Sequence, residues 1–169
     1  MERPPIHPYI PIMIGVISVS LSAIFVKLAS ADSGVIAFYR MLCSIIIMLP
    51  WFLMKYSHEI KMLTKRDWFF SSIAGIFLAF HFILWFESLN YTSVASSTVL
   101  VTMQPLFAFI GTYLFFKEKI TLKTFVAGAI AILGSVLISW GDFQISGSAL
   151  FGDILALIAC ALVTGYLLF

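Results

Sequence analysis

The chain has 169 residues, of which 62% are hydrophobic and 11% charged, with a formal net charge of +2 and a mean hydropathy of +1.07. A single globular core of this size could not bury so much apolar surface, which excludes a soluble domain. Six apolar stretches fill the sequence instead, each close to the ~20 residues that a helix needs to cross a bilayer. The sequence therefore predicts an all-α, polytopic membrane helix bundle.

The predicted membrane helices follow one another with short connections. They cover residues 10–28, 34–54, 68–89, 92–116, 122–140 and 149–169. Residues 1–140 thus hold five helices, and residues 141–169 hold an outer loop and a sixth helix. A spanning helix normally runs into interfacial anchors or a basic flank, whereas the sixth is still apolar at Phe169. We therefore expect the sequence to be a fragment or a truncated product of a longer protein.

Basic residues concentrate on the side of the membrane that holds the N-terminus and the connections after the second and fourth helices. They are Arg3, Lys55, Lys61, Lys65, Arg66, Lys117, Lys119 and Lys123. Since short cytoplasmic loops are enriched in Lys and Arg, we predict a multi-pass protein of a plasma or bacterial inner membrane with a cytoplasmic N-terminus. The expected partners of these residues are anionic lipid headgroups of the bilayer, not nucleic acid.

Arg40 lies about two turns inside the second predicted helix. A cation at such a depth costs ~2.5–3.5 kcal/mol on insertion scales, so it normally faces a partner or a water-filled cavity. Two interpretations stay open: a structural arginine bonded to carbonyls of a neighbouring helix, or an anchor for an anionic or carboxylate group of a substrate. The neighbouring Tyr39 is a further candidate substrate contact.

His81 and Trp85 share one stripe of the third predicted helix. Together they suggest a wall of a substrate site that is aromatic and able to hydrogen-bond, with plain core packing as the alternative. Glu87 lies on a different side of the helix, near the outer surface, where it pairs with Lys27 or Arg40 or faces water. His81 and Glu87 are the two candidates for proton or charge coupling.

The fourth predicted helix gathers small and polar residues on one side, among them the candidate substrate contacts Ser97 and Gln104. Pro105 removes a backbone donor in mid-helix, which indicates a kink and is typical of a moving or substrate-lining segment. Neither metal-ligand spacing nor a hydrolase motif occurs in the sequence. We therefore predict no metal, no cofactor and no enzymatic activity.

Several segments resemble the EamA-type transporters of the drug/metabolite transporter superfamily. They are FYRML at residues 38–42, WFESLNYTS at 85–93, PL at 105–106, FKEKIT at 116–121, and Gly128 and Gly134 in the fifth helix. The resemblance implies a ten-helix carrier made of two five-helix repeats of opposite orientation. This chain would then hold the N-terminal repeat and the first helix of the second, inverted repeat, which is otherwise missing or truncated.

The same resemblance implies a function. Transporters of this family move small metabolites such as amino acids, often outward, by alternating access through a central cavity, so an exporter is expected. The missing C-terminal repeat would be the partner of this chain, with a homo-oligomer as another possibility, and Glu118 would have a structural role beside a cytoplasmic hairpin. The alternative function is a non-transporting membrane fragment or an assembly scaffold.

Overall fold

The computed structural model describes residue 7 and residues 9–117, 121–145 and 147–168. These residues form seven helices: α1 (Tyr9–Leu28), α2 (Ser33–Ile60), α3 (Lys65–Tyr91), α4 (Val94–Val101), α5 (Gln104–Phe116), α6 (Leu122–Ile145) and α7 (Ala149–Leu168). Within this part of the chain six segments are long and apolar enough to cross a membrane, because α4 and α5 together supply one of them, Val94–Tyr113. The predicted all-α, polytopic helix bundle is confirmed.

The helix predicted over residues 92–116 is interrupted in the structure. α4 ends at Val101, and α5 begins at Gln104 after the two non-helical residues Thr102 and Met103. Pro105 therefore lies in the first turn of α5, where a residue without a backbone N–H is well tolerated. In a continuous helix the proline would leave the Val101 carbonyl without its donor and clash with it, so a break replaces the predicted kink.

The connection between α2 and α3 is shorter than the sequence indicates. α2 continues to Ile60, and α3 already begins at Lys65. Thr64 and Asp67 form a capping box at the start of α3: the Thr64 N–H donates to Asp67 Oδ2 at 2.8 Å, and the Asp67 N–H donates to Thr64 Oγ1 at 3.3 Å. Such reciprocal bonds satisfy backbone donors at a helix start and fix where α3 begins.

α3 is the central helix of the bundle. It makes its most extensive contact with α7, and α1 and α2 also pack against it. The buried side chains at these contacts are Ala23, Ala37, Trp85, Phe86, Leu89, Ala159 and Cys160. Small residues allow close helix approach where lipid gives no hydrophobic driving force for association, and α7 supplies them at Ala156 and Ala159, both fully buried. This packing holds the cavity-lining side of α3 in place.

Candidate cavity at membrane depth

A cavity of about 630 Å³ lies between α1, α2, α3, α4 and α5. Its polar lining residues are Ser20, Arg40, His81, Trp85, Thr98, Thr102 and Gln104. Aliphatic residues of α1 and the ring of Phe82 complete the wall. The volume falls within the range of small-molecule sites, ~300–1,000 Å³. The structure thus brings four of the predicted substrate contacts, Arg40, His81, Trp85 and Gln104, to one cavity.

Arg40 reaches from α2 towards α1 and α3. Its Nη1 donates to Ser22 Oγ at 2.6 Å, and the guanidinium carbon lies 4.6 Å from the ring centroid of Phe82 and 5.7 Å from that of Phe86. These are cation–π distances. Among the described residues no carboxylate forms an ion pair with this guanidinium. A guanidinium has five N–H donors, and the hydrogen bond to Ser22 uses one of them. Within the part of the chain that the structure describes, Arg40 is therefore held by a hydroxyl and two rings and not by backbone carbonyls.

His81 is buried on α3 and is oriented by α7. Its Nδ1 lies 2.8 Å from the carbonyl oxygen of Ala159. A carbonyl only accepts hydrogen bonds, so Nδ1 carries the proton and Nε2 is the acceptor of the neutral ring. The imidazole stacks on the Trp85 indole with ring centroids 5.9 Å apart and planes at 23°. His81 and Trp85 thus form one aromatic stripe of α3, and the Ala159 carbonyl places the His81 proton on Nδ1.

Two buried polar atoms of the cavity wall have no hydrogen-bond partner in the part of the chain that the structure describes. They are Nε1 of Trp85 and Oγ1 of Thr98. Trp85 is only 5% exposed, so neither lipid nor bulk water compensates its indole N–H. Buried polar groups without partners are uncommon in folded proteins, and here both belong to residues that line the cavity.

Tyr39 and Ser97 are predicted substrate contacts that do not line this cavity. Tyr39 is 59% exposed on α2, with its ring edge-on to Phe38 at 5.6 Å, because one helical residue turns the side chain ~100° away from Arg40. Ser97 is fully buried, and its Oγ lies 2.6 Å from Ser88 Oγ. Ser97 thus joins α4 to α3, and its hydroxyl is used within the bundle.

Glu87 is also separate from the cavity. Its Oε2 accepts a hydrogen bond from Asn90 Nδ2 at 3.4 Å. Lys27, one of its predicted partners, donates instead to the carbonyl oxygen of Leu89. Of the two candidates for proton coupling, only His81 lines the cavity.

Gln104 and Pro105 are consecutive residues of α5, and their side chains point to different sides of the helix. Gln104 lines the cavity, whereas Pro105 lines a groove between α5 and α6. The small residues Ala127, Ala131 and Gly134 of α6 line this groove, and a Cβ on Gly128 would come within 2.6 Å of Leu106 Cδ2. Glu118, the other predicted structural residue, lies outside the described residues.

The sequence analysis missed a buried carboxylate in α7. Asp153 is 7% exposed, and its Oδ1 accepts hydrogen bonds from Thr92 Oγ1 at 2.9 Å and from Ser96 Oγ at 3.0 Å. Ser96 Oγ also lies 2.7 Å from Ser139 Oγ of α6. An acidic residue inside an apolar span was the available signal. This cluster ties α7 to α6 and to the α3–α4 junction.

Among the residues that the structure describes, no group of three or more His, Cys, Asp or Glu side chains could hold a metal ion.

Membrane-length helices around a largely apolar cavity with a cation in its wall, one of them broken at the cavity, are typical of membrane transporters. A family model described as the EamA-like transporter family matches residues 8–140. The chain therefore belongs to the EamA-like transporter family, as the resemblance predicted, and it is a multi-pass membrane transporter of the drug/metabolite transporter superfamily. The family consists of transporters, which fits the expectation that the chain is not an enzyme. A search among curated proteins and a search among solved structures each gave no match.

Proposed function

We propose that this protein exports small metabolites such as amino acids by alternating access through the cavity that helices α1 to α5 line. The observation that carries the proposal is the position of Arg40. A guanidinium at membrane depth that faces a 630 Å³ cavity and has no carboxylate partner among the described residues can bind the carboxylate of a solute. The stacked rings of His81 and Trp85 line the same cavity, and Gln104 orients the solute from the start of α5.

The proposed partner is the second, inverted five-helix repeat, of which α7 would be the first helix. Alternating access in such carriers arises when one repeat moves against the other around a site at their interface. Exposed large apolar side chains cover much of α1 and α2, and this surface suits lipid or a second repeat. A second copy of this chain is the other candidate for that position.

We place the N-terminus in the cytoplasm of a plasma or bacterial inner membrane. The support is the excess of Lys and Arg in the connections after α2 and α5 and in the helix ends beside them. For energy coupling we favour His81 over Glu87, because only His81 lines the cavity. If His81 carries the coupled proton, the flux of the wild type should depend on pH, and the flux of His81→Gln should not.

Efflux from proteoliposomes tests the proposal. The full chain would be reconstituted and loaded with a panel of labelled amino acids and related small metabolites. We expect flux that is lost in Arg40→Ala. Arg66→Ala is the matched control, because Arg66 also lies over an aromatic ring, Phe70 at 5.5 Å, but does not line the cavity.

Two results would contradict the carrier. Equal flux in Arg40→Ala and wild type would remove Arg40 from the site. Folded protein without flux of any solute would favour the alternative, a non-transporting fragment or assembly scaffold.

A further inference from the structure

The groove between α5 and α6 has the length of one leaflet of a bilayer. Its volume is about 450 Å³, and along α6 it is lined from Ala127 to Ile138. At ~1.5 Å per helical residue this distance is ~16 Å. Half of the ~30 Å hydrocarbon thickness of a bilayer is nearly the same, so the groove matches the depth that one acyl chain covers.

The polar atoms at the groove have partners inside the protein. Ser135 Oγ lies 2.9 Å from the carbonyl oxygen of Ala131 and 3.2 Å from Met103 Sδ. Thr102 Oγ1 donates to the carbonyl oxygen of Val99 at 2.9 Å. The apolar side chains that stay exposed at the groove are those of Pro105, Phe109, Ala127, Ala131 and Ile138. Such a surface suits a hydrocarbon chain better than a polar solute.

Two exposed lysines lie at the end of the groove where α5 connects to α6. Lys123 lies four residues before Ala127, so it continues the face of α6 that lines the groove through Ala127 and Ala131. It stands at the start of the membrane-length segment Leu122–Gly141, and its side chain extends towards that surface. Lys117 lies in the connection before α6. Neither lysine forms an ion pair with a residue that the structure describes.

The size of the groove separates a lipid chain from a helix as its occupant. A helix is ~10–12 Å across, so a segment ~16 Å long would fill more than ~1,200 Å³, well over the volume of the groove. The closeness of α5 and α6 also limits its depth, since an added Cβ on Gly128 would meet Leu106 Cδ2 at 2.6 Å. A single hydrocarbon chain is narrow enough to lie in it.

We propose that this groove is a binding site for an anionic phospholipid. One acyl chain lies along Ala127 and Ala131, and the phosphate contacts Lys117 and Lys123. Hydrocarbon alone gives no preference for the groove over the surrounding bilayer, because lipid tails are as apolar as the side chains. The charge of the headgroup therefore supplies the selectivity. The bound chain packs against the α4–α5 break, because Pro105 lines the groove.

Native mass spectrometry of the full chain in nonionic detergent tests the proposal by binding alone. The probes are palmitoyl-oleoyl phosphatidylglycerol, phosphatidylcholine with the same chains, and glycerol 3-phosphate, which carries the charge without a chain. We expect phosphatidylglycerol to bind about 25-fold more tightly than phosphatidylcholine, because each of the two lysines contributes about fivefold. Glycerol 3-phosphate should not bind.

Variants separate the headgroup contact from the chain contact. Lys123→Gln should reduce the preference for phosphatidylglycerol about fivefold, whereas Lys61→Gln, the same loss of charge in the α2–α3 connection, should leave it unchanged. Ala131→Phe fills the groove and should weaken both phospholipids. Ile130→Phe is its control, since Ile130 is 64% exposed on α6 and does not line the groove. Ala127→Phe is a second groove-filling variant in case Ala131→Phe does not fold.

Three results would overturn the inference. They are phosphatidylcholine bound as tightly as phosphatidylglycerol, wild-type lipid binding in folded Ala131→Phe or Ala127→Phe, and a dimer in place of the lipid adduct, which would assign the groove to a second copy of the chain. Because the measurement needs no flux, its outcome is independent of whether the proposed carrier activity is found.

Discussion

Replacing Gly152 with alanine should destabilise the bundle, because α7 meets the α3–α4 junction at this residue without room for a side chain. A Cβ there would lie 2.9 Å from the Ser88 carbonyl oxygen and 2.9 Å from both the backbone N and the Cβ of Thr92. None of these atoms can rotate away, so α7 itself must shift. Overpacking costs ~1–3 kcal/mol, and alanine recovers up to ~1 kcal/mol of helix propensity. With the full gain counted, the expected net loss is ~0–2 kcal/mol of unfolding free energy.

The measurement is reversible unfolding of the detergent-solubilised chain in a denaturing-detergent titration. Gly75→Ala is the control, because Gly75 lies exposed in α3 with nothing within 4 Å of its added Cβ. That variant gains helix propensity without a clash and should match or exceed the wild type. Equal stability of Gly152→Ala and Gly75→Ala would mean that α7 does not seat on α3 as described.

Three further changes test separate features. Asp153→Ala should lower the unfolding free energy by ~1–3 kcal/mol, because two buried hydroxyls lose their acceptor; Asp153→Asn keeps an acceptor oxygen and should lose less in the same titration. Thr64→Ala removes the capping box of α3 and should cost ~1 kcal/mol, whereas Ser72→Ala, which removes only a bond to the Trp68 carbonyl, should cost less. Arg40→Lys keeps the positive charge without the planar fork, and the efflux assay should show reduced but measurable flux, intermediate between wild type and Arg40→Ala.

The membrane helices could be predicted because the bilayer fixes their length and composition before any tertiary contact forms. The break between α4 and α5 was not predicted in full. Pro105 marked the right region, but a kinked helix and a broken one have the same sequence signal. The structure takes the break, which lets Pro105 occupy the first turn of α5 and lets Gln104 line the cavity.

Residues of the candidate site could be predicted where burying the side chain costs much free energy whatever the rest of the fold looks like. Arg40 and His81 stood out because a charged or imidazole side chain at membrane depth needs a partner whatever the fold. Ser97 could not be assigned in this way, since a serine hydroxyl is satisfied by either a solute or a neighbour, and Ser88 proved to be the neighbour. Asp153 depends on Thr92 and Ser96, about sixty residues earlier in the chain, whose proximity only the packing of α7 reveals.

The polar side chains around Asp153 and those around the cavity differ in how fully the protein itself supplies their hydrogen-bond partners. Around Asp153, the hydroxyls of Thr92 and Ser96 have partners within the protein, and a satisfied network of this kind favours one rigid arrangement. Around the cavity, Arg40 makes one hydrogen bond, to Ser22, and no ion pair among the described residues, so its remaining N–H donors are available to a solute. A cation that the described residues leave without a carboxylate points to binding, so the solute should be sought at Arg40 and not at Asp153.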